Sequence, residues 1–204
     1  MGLGHVPQER IISSGVVSAH YLQKHLPPGA RVYVVGEEGL RDLLAEAGFV
    51  LADSGVDAVV AGIDRSFTYA TAYTATRLIR AGALFVGTNP DVTFPMPEGL
   101  SPGAGSILAM LAAASGRQPI VMGKPERAMF EEAAAALAVP LDQTLMIGDR
   151  LDTDIDGAVK AGLQTALVLT GVETPETAAA HADIGGTLVV EDLAALQMAW
   201  ERAR

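Results

Sequence analysis

The chain has no cysteine among its 204 residues. Disulfides, thiolate metal sites and cysteine nucleophiles are therefore excluded. Positive charge is scarce: 14 Lys and Arg stand against 24 Asp and Glu, a formal net charge of −10. No run of Lys or Arg interrupts this acidity. Nucleic-acid phosphates and anionic lipids do not attract a net anion, so neither is expected as a partner. Long apolar runs are also missing: no stretch reaches the roughly 18 residues of a membrane-spanning helix. Met1-Gly2-Leu3-Gly4-His5 shows no signal-peptide pattern, and a cytoplasmic location is the expectation. What is present is hydrophobic. At 50% of the residues, it is too abundant for an intrinsically disordered chain. The length admits one domain, or two small ones, around a buried core.

Strand-like and helix-like segments alternate. Val32 to Val35 is a β-branched run, and Glu37 to Gly48 reads as a helix with Leu40, Leu43, Leu44 and Ala47 on one face. Ala58 to Ile63, Leu84 to Val86, Ile120 to Gly123, Thr144 to Gly148, Thr165 to Thr170 and Leu188 to Val190 read as strands. Thr68 to Gly82, Ser106 to Ser115, Glu126 to Ala138, Thr153 to Gly162, Thr174 to His181 and Glu191 to Ala203 read as helices. The Pro/Gly-rich stretch from Phe94 to Gly103 is expected to be loop. Continuous apolar strands separated by helices predict an α/β fold with a parallel sheet covered on both faces.

In such sheets function collects at the carboxyl ends of strands. Lys124 follows one strand in Met122-Gly123-Lys124-Pro125, and Asp149 follows the next in Met146-Ile147-Gly148-Asp149. Leu169-Thr170-Gly171 closes a third. Asp152, Asp154 and Asp156 crowd a helix start, where the dipole favours acids but their mutual repulsion calls for a cation. Carboxylates without His or Cys suit a hard cation such as Mg²⁺. A lysine across the same cleft attracts phosphate, and the set matches phosphoryl transfer.

Taken singly, each residue has a plainer reading. Lys124 reads as a surface lysine, Asp149 as a helix cap, and Asp152 and Asp156 as solvated helix-start acids. His5, His20 and His181 lack metal spacing and read as surface or packing residues, and the methionines read as core. Asp152-Thr-Asp154-Ile-Asp156-Gly157 opens like a calcium loop, but Leu163 stands where that loop needs a bidentate Glu. Asp154-Ile-Asp156-Gly157 looks like a phosphatase nucleophile motif, yet it does not follow an apolar strand.

Gly148-Asp149-Arg150-Leu151-Asp152-Thr153-Asp154-Ile155, with Gly123-Lys124-Pro125 upstream, resembles the haloacid dehalogenase superfamily, and within it the subgroup IIA capped phosphatases. The likeness extends over nearly the whole chain. Glu9 to Gly15 looks like the approach to the cap. Gly62-Ile63-Asp64 with Phe67-Thr68-Tyr69, and Thr88-Asn89-Pro90-Asp91, look like cap strand ends. Pro102 to Ser106 looks like the turn into the last cap helix, Ser115-Gly116-Arg117 like the return to the core, and Leu169 to Val172 like a later core strand end.

The resemblance implies a parallel-sheet core at residues 119–204 with a remnant at 1–26, and a C2-type α/β cap at 27–118. It implies Mg²⁺-dependent hydrolysis of a small phosphorylated metabolite through an aspartyl-phosphate. Lys124 would be the catalytic and phosphate-holding lysine, Asp149 a metal ligand, and Asp154 a support for the metal or the lysine. Asn89, Asp91 and Phe94 would contact substrate from the cap. Phe94 stands where some relatives carry a substrate-contacting histidine, which argues against pyridoxal phosphate. A homodimer through the cap is a further implication.

The family's nucleophile lies in an Asp-x-Asp-Gly-Thr motif after the first core strand, and a phosphate-binding loop follows the next. Neither motif precedes the cap here. At about 30 residues per strand-helix unit, roughly two units are missing, and Met1 reads as an internal methionine of a shortened chain. The expectation is a phosphatase by descent that is inactive alone. The alternative is a non-catalytic binding or dimerisation module.

Overall fold

The structure, a computed structural model, describes residues 6–7, 10–181 and 185–202. His5 lies outside the described residues. The chain divides into two compact units: Ile12–Gly123, and the segment from Lys124 onward together with the residues before Ile12.

The Ile12–Gly123 unit runs α1 (Ser14–His25), β1 (Arg31–Val35), α2 (Glu38–Glu46), β2 (Val50–Leu51), β3 (Ala58–Ala61), α3 (Tyr69–Arg80), β4 (Leu84–Gly87), β5 (Thr93–Met96), β6 (Gly99–Pro102), α4 (Ala104–Ser115) and β7 (Ile120–Val121). Five parallel strands lie in the order β2-β1-β3-β4-β7. All four residues of β3 are buried, as a strand covered on both faces requires. Val35, Val59, Ile79, Phe85 and Leu111 join in one core. Helix starts are set locally: Ser13 caps α1 by accepting the Val16 N–H, and Thr68 caps α3 by accepting the Thr71 N–H.

The boundaries of this unit differ from those read in the sequence. Helix α1 belongs to it because Val17, Ala19 and Leu22 are buried and the helix packs on α2. Strand β7 belongs to it because it hydrogen-bonds to β4. The stretch expected as loop contains a two-stranded antiparallel hairpin, β5 with β6. Pro95 and Pro102 do not prevent it. Each strand of a two-stranded ribbon has an outer edge, where a missing N–H breaks no ladder bond.

The other unit runs α5 (Arg127–Leu137), a 3₁₀ turn (Leu141–Gln143), β8 (Leu145–Gly148), a π turn (Leu151–Ile155) leading into α6 (Asp156–Ala161), β9 (Gln164–Val168), α7 (Pro175–Ala180), β10 (Leu188–Val190) and α8 (Leu193–Arg202). Three parallel strands lie in the order β10-β9-β8. Leu151, Ile155, Leu167 and Ala178 pack together, as do Phe130, Ala158 and Ala161. A reciprocal box between Thr174 and Thr177 starts α7. Strand β8 pairs with β9 alone among the described residues, and its Ile147 is 43% exposed.

Met122 is buried as expected, but Met96, Met110 and Met198 are exposed, so methionine is not uniformly core here. Its flexible thioether tolerates either setting. No helix among the described residues is long and apolar enough to cross a membrane.

The core assignment predicts a contrast between two substitutions. Leu111→Ala, at a fully buried position, is expected to lower unfolding free energy by about 2–5 kcal/mol. Tyr69→Ala, on the exposed face of α3, is expected to change it by less than about 0.5 kcal/mol. Denaturant midpoints with the slope held constant measure both.

Candidate active site

The carboxyl end of β8 is drawn together by one buried carboxylate. Asp154 is 3% exposed. Its Oδ1 accepts a hydrogen bond from Lys124 Nζ at 2.6 Å. Its Oδ2 accepts the backbone N–H groups of Asp149 and Arg150, each at 3.2 Å. Three donors on one carboxylate, one of them cationic, make a strong and directional joint.

Two local features allow it. In the π turn the N–H groups of Asp154 and Ile155 both donate to Arg150 O at 3.2 Å. This widened turn carries Asp154 back against the strand end, and such turns recur at functional sites. Gly148 supplies the room, because a Cβ there would collide with the Asp154 side chain.

The loop after β9 forms a second clamp. Asp149 Oδ2 accepts the Val172 N–H at 3.2 Å, and Asp149 O accepts the Glu173 N–H at 3.3 Å. Leu151 N–H donates to Glu173 Oε1 at 3.3 Å. A Cβ at Gly171 would collide with the Asp149 carboxylate, so this approach requires glycine. Glu173 carries no motif in the sequence, and only its position after a strand end hinted at a role.

Lys124, Asp149 and Asp154 are thus brought together within one unit. Asp149 Oδ1 makes no hydrogen bond among the described residues, while its partner oxygen is held by a backbone N–H. Among the described residues no three His, Cys, Asp or Glu side chains converge on one point. One or two oxygen donors with open positions fit Mg²⁺, which keeps several waters and takes few carboxylates. Both oxygens of Asp154 are already engaged by Lys124 and by main-chain donors.

The other acids have separate partners. Arg150 grips Asp152 through Nε at 3.2 Å and a terminal nitrogen at 3.0 Å. This hydrogen-bonded guanidinium holds the Asp152 carboxyl below its ordinary range. Asp156 pairs with His181 Nε2 at 2.9 Å. Asp152, Asp154 and Asp156 thus engage different side chains: Arg150, Lys124 and His181. His20 is half-buried on α1.

Asn89, Asp91 and Phe94 all belong to the Ile12–Gly123 unit. Asn89 Oδ1 accepts the Asp91 N–H at 3.2 Å. Phe94 lies in β5, with the Arg65 guanidinium 5.9 Å from its ring centre.

Residues 1–50 match the haloacid dehalogenase-like hydrolase family, and residues 121–196 match the HAD-hydrolase-like family. The fold is that of a p-nitrophenyl phosphatase from Archaeoglobus fulgidus, with a TM-score of 0.88 and 30% identity over 96% of this chain and 77% of that one. The chain belongs to the haloacid dehalogenase-like hydrolases. Within that family its likeness is to the subgroup IIA capped proteins, and the relatives it matches are named as phosphatases. It is 39% identical to glycerol phosphate phosphatase Rv1692 from Mycobacterium tuberculosis, solved in complex with magnesium, with a TM-score of 0.82 over 91% of this chain and 57% of that one. It is 42% identical over 167 residues to a dihydroxyacetone phosphatase of Corynebacterium glutamicum, covering 82% of this chain. The chain spans 60% of that relative's length.

Two measurements test the geometry of this haloacid dehalogenase-like site. Asp154→Ala strands a lysine and two backbone N–H groups, and is expected to cost about 2–4 kcal/mol of stability, read from chemical denaturation. For Asp152, a depressed folded value means that the Arg150 pair stabilises above the ordinary Asp range. That contribution is lost as pH falls through the depressed value. Its side chain is 66% exposed, so the pair contributes no more than about 1 kcal/mol. NMR titration is expected to show Asp152 titrating below the usual Asp range, and returning to it in Arg150→Ala.

Proposed function

We propose that this site serves Mg²⁺-dependent hydrolysis of the phosphate monoester of a small metabolite. The observation that carries the reading is the joint at the β8 end, where Asp154 takes the Lys124 ammonium on one oxygen and the Asp149 backbone N–H on the other. Lys124 binds the substrate phosphate and offsets its charge. Asp149 offers its oxygen to the cation, and the Val172 N–H fixes its orientation. Bound Mg²⁺ would supply charge neutralisation on the phosphoryl oxygens. Asp154 positions the lysine. Asn89, Asp91 and Phe94 would select the substrate's organic part. The substrate on this reading is a small soluble metabolite, and the setting is cytoplasmic.

The family route passes through an aspartyl-phosphate, formed by a strand-end carboxylate and then hydrolysed by water. These 204 residues show no such nucleophile. The one Asp-x-Asp-Gly sequence, Asp154 to Gly157, lies on the π turn and α6, with Asp154 committed to Lys124. Without an acceptor carboxylate there is no covalent step. The 204 residues alone therefore bind phosphate without turning it over.

A second reading is a binding or dimerisation module. The exposed Val92, Met96 and Leu100, on and beside the β5-β6 hairpin, favour it. A homodimer through this unit would bury them.

The test is hydrolysis of 4-nitrophenyl phosphate with Mg²⁺. The 204-residue chain is expected to show no turnover above buffer. Turnover should appear when an Asp-x-Asp-Gly-Thr-bearing segment is joined upstream, and Lys124→Ala should remove it. Turnover by the 204 residues that Lys124→Ala abolishes would refute their incompetence. A joined enzyme indifferent to Lys124→Ala would refute the site. Sedimentation of the chain against Leu100→Glu tests the dimer, which is expected to shift to monomer in the variant.

A further inference from the structure

The segment that follows β9 is tied to the π turn at both ends of that turn. Glu173 Oε1 accepts the N–H of Leu151, the first residue of the turn, at 3.3 Å. His181 Nε2 lies 2.9 Å from Oδ1 of Asp156, the residue directly after the turn. A carboxylate only accepts, so the imidazole carries a proton on Nε2. Between these two points Ala178, 4% exposed, packs with Leu151 and Ile155, the first and last residues of the turn. The chemistry proposed for Lys124 and Asp149 gives neither Glu173 nor His181 a part.

The bracket answers two weaknesses of the strand end. The first is the loop that orients Asp149. The Val172 N–H donates to Asp149 Oδ2 and the Glu173 N–H to Asp149 O, yet Val172 is 63% exposed and burial does not fix it. Helix α7, which follows, has six residues, too few to persist as a helix by itself. Its place rests on the Thr174–Thr177 box, on buried Ala178 and on His181 at its carboxyl end. The second weakness is the π turn itself. This geometry is uncommon and persists where the surroundings hold it. It carries Asp154, the acceptor for Lys124.

We propose that Glu173 and His181 are positioning residues, which act through the π turn and the Val172 amide to keep Asp149 set for a divalent cation. This rests on the proposed function in taking Asp149 as the ligand of that cation. Groups that hold a metal ligand from behind set its orientation and the affinity of the site. Glu173 acts through the bond that Oε1 accepts, and not through its charge. His181 acts through the bond that Nε2 donates. Glutamine keeps both bonds: its carbonyl oxygen stands in for Glu173 Oε1, and its amide N–H₂ for the His181 Nε2–H. Alanine keeps neither.

The experiment uses the 204-residue chain. Magnesium chloride is titrated against sodium chloride of equal ionic strength, and backbone amide shifts are followed. Saturable shifts are expected at Asp149, Gly171 and Val172. Glu173→Ala is expected to weaken the Mg²⁺ affinity about tenfold and to speed hydrogen exchange at the Leu151 amide, while Glu173→Gln keeps both at the original values. His181→Ala is expected to weaken the affinity about threefold, and His181→Gln to restore it. If Glu173→Ala does not fold, the two His181 variants carry the test. Alanine variants that bind Mg²⁺ as tightly as the unaltered chain overturn the proposal and leave the proposed function standing. Glu173→Gln as weak as Glu173→Ala overturns it too, because charge is then the cause. An unaltered chain with no saturable shift at Asp149, Gly171 and Val172 overturns the proposed cation site, and this proposal with it.

Discussion

The site depends on a carboxylate that ties a lysine to a strand end. Asp154 takes one hydrogen bond from the Lys124 ammonium and two from the main chain at Asp149 and Arg150. A buried acid with a single partner is a liability, because desolvation can exceed the attraction gained. Here both oxygens are bonded, and the lysine keeps 37% of its side chain exposed. The arrangement therefore leaves a cation at the surface and fixes its place. A lysine on a flexible stem becomes a charge at a defined point, which phosphoryl chemistry needs.

A second loop completes the same strand end. Glu173 binds the Leu151 amide, and the Val172 amide binds the Asp149 carboxylate. Glycines at 148 and 171 let these groups approach more closely than any side chain permits. Three loops thus meet at the carboxyl end of a short parallel sheet, the general address for function in such folds. Strand β8 supplies the site from a position paired on one side only among the described residues.

The parts legible in the sequence were those with a period or a strong local rule. The apolar runs at β1, β3 and β4 announced a buried parallel sheet, and Thr68 and Thr174 announced helix starts. Lys124 and Asp149 were visible because each follows an apolar strand, and the family resemblance gave them roles. That Asp154 serves the lysine through one oxygen and the main chain through the other was not legible. It depends on a π turn, which has no sequence signature of its own. The β5-β6 hairpin was hidden by its prolines, which read as loop unless an outer edge is known to exist. Helix α1 mixes Ser, His, Tyr and Gln among its apolar residues, and its place with α2 rests on tertiary contacts. Glu173 and Gly171 act through close approach, which periodicity does not encode.

The central claim is that Asp149 presents its free oxygen to a divalent cation while Asp154 is occupied by Lys124. Mn²⁺ in place of Mg²⁺ tests this directly, since its paramagnetism broadens nearby backbone amides. The account predicts broadening centred on Asp149, Gly171 and Val172, abolished by Asp149→Asn and retained in Asp152→Asn. Broadening centred on Asp152 and Asp156, or unchanged by Asp149→Asn, would contradict it.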